Sequence, residues 1–344
     1  MKTHLFRIAI LGVLTTVTLL LEDCKKDSVI PQKIDATTDP ASLSLSTMAS
    51  TNIVSTVAGT PNSTGFVDGP AKTASFNVPA GIQLAKDGSI YIADRANNAI
   101  RKLTSDGIVS TLPLNTPANY SLQSPTSVGV NDAGNIHVLS VIVDQAGQSY
   151  IFNKQNTFIA GYEVTYTALG ALAKDPYNDF FWFSSGNNIG KLIVGSDGSI
   201  GKDYIPYNKG LLTEEEQRRG QTFKGLFVGR NRVVYFSVGP RMFKYTPGGA
   251  TAQLYPNLPL GNITSIVLNA DSRTMYLAAD GKIEKIVDGK LTVLAGPNSS
   301  ASDGRDGAGL KADVHALSLA LGDHENSLYF SDSKTNTIRK LMLN

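Results

Sequence analysis

Three polar side chains recur as a set. Asp94, Asn98 and Arg101 stand within IYIADRANNAIRKL (90–103), and Asp332, Asn336 and Arg339 stand at the same spacing within LYFSDSKTNTIRKL (328–341). A carboxylate, an amide and a guanidinium so close together are the groups from which a polar ligand site is built. The same three groups also serve a turn, where Asp and Asn bond to backbone and Arg braces the connection. Seven of the fourteen positions are identical at an offset of 238 residues. Recurrence of the whole segment favours the second use, so all six are expected to be structural turn residues.

The remaining chemistry-bearing residues are scattered. His137 is a tempting metal ligand, but the equivalent position of related segments holds Tyr91, Trp182, Tyr235, Tyr276 and Tyr329. A site that takes a large flat ring every time reads as packing rather than ligation. The same reasoning removes Trp182 as a sugar-stacking platform. His315 aligns with Asn77, His324 lies in the turn GDHENS, and His4 lies near the start, so the histidines do not form the cluster that metal chemistry needs. Asp303 and Asp306 in SASDGRDGAG offer a possible calcium loop but lack its fuller ligand set, and turn capping fits them better. No cofactor is otherwise expected. No Ser-His-Asp order, phosphate loop or cysteine nucleophile stands out.

These residues sit on a repeat. The pattern apolar, aromatic, apolar, small occurs at IYIAD (90), IHVLS (136), FWFSS (181), VYFSV (234), MYLAA (275) and LYFSD (328), with gaps of 46, 45, 53, 41 and 53. An apolar strand precedes each copy. In five of the six an apolar-x-Lys-apolar segment follows, as in IRKL at 100 and 338. Four short strands per repeat, 32 Gly and 15 Pro among 344 residues, and a period in the forties predict an all-β, six-bladed β-propeller. A helical solenoid would need a 3.6-residue period, which these segments lack. The sixth repeat has no fourth strand after TIRKLMLN. An orphan strand, VSTVAG (54–59), matches LTVLAG (291–296), the fourth strand of repeat five. It is expected to complete the last blade and so remove the open sheet edges.

The start of the chain reads differently. Lys2 and Arg7 precede an apolar run of fourteen, Ile8 to Leu21, too short for a comfortable membrane span and suited to a signal-peptide core. Cys24 is the lone cysteine, so no intrachain disulfide forms. Residues 24–52 are rich in Ser, Thr, Asp and Ala and read as a flexible tether. The expected organisation is a signal peptide over 1–23, a tether over 24–52 and the propeller over 53–344. A net charge of +2, from 31 basic and 29 acidic residues, argues against a nucleic-acid partner.

Two resemblances follow from these residues. The stretch AGTPNSTGFVDGPAKTASFNVPAGIQLAKDGSIYIADRANNAIRKLTSDGIVSTLPL resembles the repeat of the NHL-repeat propellers. That likeness implies an NHL-like fold over 53–344, and such propellers serve as binders of protein, glycan or nucleic acid and, less often, as enzymes. The basic start, the apolar run and CKKD resemble Bacteroidetes-type surface lipoproteins, in which the cysteine is acylated; Glu22 and Asp23 replace the small residues that usually precede it. This implies lipidation at Cys24 and an outer-membrane location. Related six-bladed lactonases hold calcium in the central channel with Glu, Asn and Asp. The positions after the aromatic strand here are Asp94, Ser140, Ser185, Val238, Ala279 and Asp332, with two carboxylates among the six.

One segment departs from the repeat. Residues 205–223 (IPYNKGLLTEEEQRRGQTF) lengthen a connection, and Thr213, Glu216 and Gly220 predict a short capped helix. Long loops on a rigid scaffold often carry function, so Tyr207, Asn208, Lys209, Glu215, Arg218 and Arg219 are the candidate binding residues. The reading is a monomeric, non-catalytic binding propeller at the cell envelope that presents a loop face to a glycan or protein. The alternative is a lactonase or lyase with a metal in the channel.

Overall fold

The computed structural model describes residues 52–118, 120–141, 147–164, 169–186, 188–194, 199–205, 211–297 and 302–344. The chain opens with β1 (Ile53–Ala58) and the two-residue β2 (Gly69–Pro70). Blade 1 then contains β3 (Pro79–Leu84), β4 (Ile90–Asp94), β5 (Ala99–Leu103) and β6 (Ile108–Thr111). Blade 2 contains β7 (Pro125–Val130), β8 (Ile136–Val141), β9 (Gly147–Phe152) and β10 (Phe158–Val164). Blade 3 contains β11 (Leu169–Lys174), β12 (Phe181–Ser185), β13 (Asn188–Val194) and β14 (Ile200–Tyr204). A short helix, α1 (Glu214–Arg218), leads to blade 4: β15 (Lys224–Val228), β16 (Val234–Val238), β17 (Arg241–Tyr245) and β18 (Thr251–Leu254). Blade 5 contains β19 (Ile263–Leu268), β20 (Thr274–Ala279), β21 (Lys282–Val287) and β22 (Lys290–Ala295). Blade 6 follows the two-residue β23 (Gly307–Ala308) and contains β24 (Ala316–Leu321), β25 (Ser327–Asp332) and β26 (Thr337–Met342).

Each blade is one antiparallel meander, and the fold is an all-β, six-bladed propeller. Blade 6 is completed by β1, which pairs antiparallel with β26 through Val54–Leu341, Ser55–Lys340 and Thr56–Arg339. The orphan strand therefore closes the ring, as its match to β22 predicts. A feature absent from the sequence reading is a fifth, two-residue strand on two blades. β2 pairs with β6, and β23 pairs with β1.

The first strands of the six blades line the axis and touch in ring order: β3, β7, β11, β15, β19, β24 and back to β3. Bonds between them keep a constant offset. Ser127 Oγ accepts from Leu172 N, Ser265 Oγ from Leu319 N, and Ser318 Oγ from Ile82 N. These strands thus run in the same direction. The approach is close enough that a Cβ on Gly81 would lie 2.7 Å from the Thr126 carbonyl oxygen.

The core is a ring of six seams rather than one centre. Apolar side chains from each blade meet those of the next in a separate cluster. The aromatic position supplies a plug for these seams. His137 stacks on Phe181 of blade 3 at 4.5 Å, Trp182 packs with Leu226 and Val228 of blade 4, and Tyr276 with Leu319 of blade 6. The small position of the repeat has a matching use. Ser184 Oγ donates to Phe223 O, Ser237 Oγ to Ile263 O, and Ser331 Oγ to Ala80 O, each at the start of the next blade. Blade 2 has Leu139 at this position instead, and its side chain packs in the seam with blade 3.

Candidate functional site

The recurrent polar residues build two loop anchors. Arg101 and Arg339 are both fully buried. Arg101 donates to Asp94 at 2.8 Å, to Asp68 at 2.5 Å, and to the carbonyls of Ser75 and Val67 at 3.0 and 2.9 Å. It also lies 4.9 Å from the Phe66 ring centre and 5.2 Å from that of Phe76. Arg339 repeats the set with Asp332, Asp306, Asp313 O and Arg305 O. Each guanidinium pins the long loop that precedes β3 or β24 onto its blade. Asp68 and Asp306 also hold the fourth strand of the blade: Asp68 accepts from Thr111 N, and Asp306 from Thr56 N. Burial pushes the Asp94 carboxyl up, while bonds from Asn77 N–H, Asn97 and Arg101 oppose that rise.

Asn98 and Asn336 lie outside these anchors. Both adopt left-handed backbone (φ 54 and 60), which asparagine tolerates better than most residues. Each side chain reaches the next blade, where Asn98 Oδ1 accepts from Ser124 N and Asn336 Oδ1 from Val78 N, both at 2.8 Å. The amide that meets Asp94 is Asn97. The expected three-residue turn cluster is therefore split between a loop anchor and a bolt between blades.

Asp303 and Asp306 are occupied by their own chain. Asp303 accepts from Arg305 N and pairs with its guanidinium, and Asp306 is held by Thr56 and Arg339. Among the described residues, no group of three or more His, Cys, Asp and Glu is placed to hold a metal ion. His137 is buried, and desolvation pulls its pKa down to about 3, so it is neutral in its seam. Trp182 donates to Asp175 at 3.0 Å and is almost wholly buried, which leaves no face for a sugar.

The axial channel forms a cavity of about 1170 Å³ lined by the six innermost strands. At the end where those strands begin, Arg95, Arg219, Gln221, Thr222, Lys224 and Asn262 line the mouth. The lining carboxylates, Asp323 and Glu325, follow β24 and so lie at the opposite end. Glu325 there accepts from Ala270 N.

The inserted connection reaches the first mouth. Thr213 caps α1 in a complete capping box with Glu216. Glu216 also pairs with Arg241 at the start of β17, and Leu212 and Phe223 are buried in the seam between blades 3 and 4. Burial raises the Glu216 carboxyl pKa, but bonds from Thr213 and Arg241 outweigh it and hold the group below the usual range. On the exposed side of α1, Glu215 pairs with both Arg218 and Arg219. The structure thus brings Glu215, Arg218 and Arg219 together, with Arg219 at the channel mouth. Tyr207, Asn208, Lys209 and Cys24 lie outside the described residues.

Lys224 escaped the sequence reading. Its signal was present: the second lining position of each blade reads Ala80, Thr126, Gly170, Lys224, Thr264 and Leu317, so one blade places a cation where the others place small or neutral groups.

No family model matches the chain, and no curated protein does either. Solved structures resemble it in fold. A protein of unknown function from Bacteroides thetaiotaomicron is 18% identical with a TM-score of 0.66, over 85% of this chain and 76% of that one. An auxiliary nutrient binding protein from Bacteroides ovatus is 13% identical with a TM-score of 0.60, over 85% and 76%. A gluconolactonase from Xanthomonas campestris is 9% identical with a TM-score of 0.55, over 85% and 90%. At these identities the likeness shows the propeller fold. Among the described residues, no helix is long and apolar enough to cross a membrane.

Proposed function

We propose that the protein is an exported binding propeller of the NHL-repeat type, held at the cell envelope through Cys24 and the tether that follows it. Its ligand is a glycan or a protein bound at the strand-start face. The observation that carries this reading is the axial channel, open at a mouth of cations, amides and hydroxyls beside α1. The lining hydroxyls of Ser127, Ser265 and Ser318 each accept a backbone bond from the next blade, which gives them a structural role. The fold likeness to a nutrient binding protein supports the same reading. Glu215, Arg218 and Arg219, with Tyr207, Asn208 and Lys209 in the same insertion, are the proposed rim of the site.

The test is retention. The full chain, immobilised, is presented to a glycan array and to solubilised envelope proteins. Selective retention of a glycan or a protein is expected, and a folded chain that retains neither refutes the proposal. The likeness to a gluconolactonase favours a second reading, a channel enzyme with a metal. Stoichiometric metal in the purified protein, together with turnover of a lactone, would replace the first reading with the second.

A further inference from the structure

The channel mouth has an unequal distribution of partners. Most charged groups near it are already paired: Glu216 with Arg241, and Glu215 with both Arg218 and Arg219. Two cations are not. Lys224, the first residue of β15, and Arg95, in the turn between β4 and β5, are exposed and line the channel. Among the described residues, neither side chain has a hydrogen-bond or ion-pair partner. Blades 1 and 4 are three places apart in the ring of six, so these cations stand on opposite sides of the axis. The lining carboxylates, Asp323 and Glu325, lie at the far end. An anion entering at the strand-start end therefore meets uncompensated positive charge in a partly enclosed space. Low-dielectric walls strengthen that attraction relative to open solvent.

The hydroxyls of the same ring carry a second instruction. Thr126 Oγ1 donates its proton to Leu139 O, and Thr264 Oγ1 donates to Leu317 O at 2.7 Å. With its proton committed, each oxygen can only accept from a ligand. Thr126 on blade 2 and Thr264 on blade 5 also face each other across the axis. Beside them, the side-chain amides of Gln221 and Asn262 line the mouth. The mouth thus asks for a molecule that carries carboxylates for the two cations and hydroxyl donors for the threonines. A plain dicarboxylate or an acidic peptide supplies the first without the second.

We infer that the strand-start mouth of the channel binds an oligomer of a sugar acid, with Lys224 and Arg95 each facing a carboxylate and Thr126 and Thr264 accepting from ring hydroxyls. This deepens the binding reading above and rests on it.

The experiment is calorimetric titration of the full chain. The probes are trimers of galacturonate, glucuronate and mannuronate, their neutral methyl esters, and a hexaglutamate peptide. At least one uronate trimer is expected to bind, its methyl ester at least about tenfold more weakly, and hexaglutamate no better than the ester. Lys224→Gln and Arg95→Gln are each expected to weaken the uronate by about tenfold, while Asp323→Asn at the far end leaves it unchanged. Both cations are exposed, so melting temperature should not move, and that measurement separates lost binding from lost folding. The inference is overturned if no uronate binds, if ester and acid bind alike, if hexaglutamate matches the uronate, or if neither substitution weakens binding. A chain that retains neutral glycans or a protein but fails these tests keeps the general reading and loses this one. Retention of no ligand at all removes both.

Discussion

Arg101→Met is the sharpest test of the anchor argument. The guanidinium is fully buried and makes two charge-assisted bonds, to Asp94 and Asp68, and two to backbone carbonyls. Methionine fills much of the same volume but donates nothing. Asp94 would keep its bonds from Asn77 N and Asn97 while losing its only ion-pair partner among the described residues, in a site with no solvent access. Breaking one side of a buried ion pair costs about 3–5 kcal/mol. Asp68 is close to half exposed, so water screens its loss, which adds about 1 kcal/mol at most. The sum, about 3–6 kcal/mol, is a large part of the roughly 5–15 kcal/mol typical of a whole domain. For a chain of this size it corresponds to a fall in Tm of roughly 10 °C. Calorimetry gives Tm, and limited proteolysis reads the loop over 60–76, which should become the first cleavage site. The deficit should be larger at pH 7 than at pH 4, because protonation of Asp94 removes the unpaired buried charge. Arg101→Met with Asp94→Leu should recover much of the loss, since the pair is then replaced by apolar groups. A single variant within about 1 kcal/mol of the parent at pH 7, or a double variant no better than the single, would refute the anchor.

Two further outcomes follow from the same structure. Deleting Ile53–Ala58 removes the closing strand, its pairing with β26 and β23, and the buried Val54 and Ala58, which belong to two different seams. Several ladder bonds at about 1 kcal/mol each and a buried valine at about 1.5–3 kcal/mol make the loss comparable to total stability. A deletion that melts with the parent would show that β1 does not close the ring. Glu284→Gln tests the opposite case, a buried carboxyl without an anchor role. Among the described residues its Oε2 has no hydrogen-bond partner, and burial pushes its pKa above the ordinary glutamate value. The folded state therefore holds this proton more tightly than the unfolded state. Stability from the group is present below the ordinary value and is lost as pH rises through the raised one. The glutamine variant should gain about 1 kcal/mol at pH 7 and nothing at pH 4, read as a flatter dependence of Tm on pH. Equal Tm differences for parent and variant at the two pH values would defeat this account.

One position in the third strand of each blade shows what could and could not be read from the chain. Across the blades, the residue opposite the third position of the aromatic strand is Arg101, Tyr150, Gly190, Phe243, Glu284 and Arg339. Strand order, blade number and ring closure were legible, because alternation and turn residues recur along the chain and depend on local spacing. What each blade does with this one position was not, because it depends on the loop that arrives from outside the blade. Where that loop is long and folds back, an arginine pins it; in blade 2, Tyr150 donates to Ser121 O and does the same with a neutral group. Blade 3 has Gly190, whose missing side chain admits the Tyr204 ring. Blade 5 follows the shorter connection over 255–262, where Glu284 stands with no loop to hold. The offset of 238 that takes Asp68 to Asp306 also takes Arg101 to Arg339, so the anchor partners were present in the sequence as a covarying pair of offsets.

The same reasoning locates function. Propeller repeats agree where blades must pack and differ where nothing in the fold constrains them. The aromatic plug, the small residue and the asparagine bolt belong to the first kind, which is why their chemistry is used up within the protein. Lys224 belongs to the second. At the second lining position the fold accepts Ala80, Gly170 and Leu317 as readily as Thr126 and Thr264, so no packing or hydrogen-bonding demand explains a lysine there. An ammonium group held at the channel mouth without a partner among the described residues returns nothing to the fold. Its effect is felt by whatever enters from the strand-start end, where the field of Lys224 and Arg95 is opposed by no lining carboxylate among the described residues.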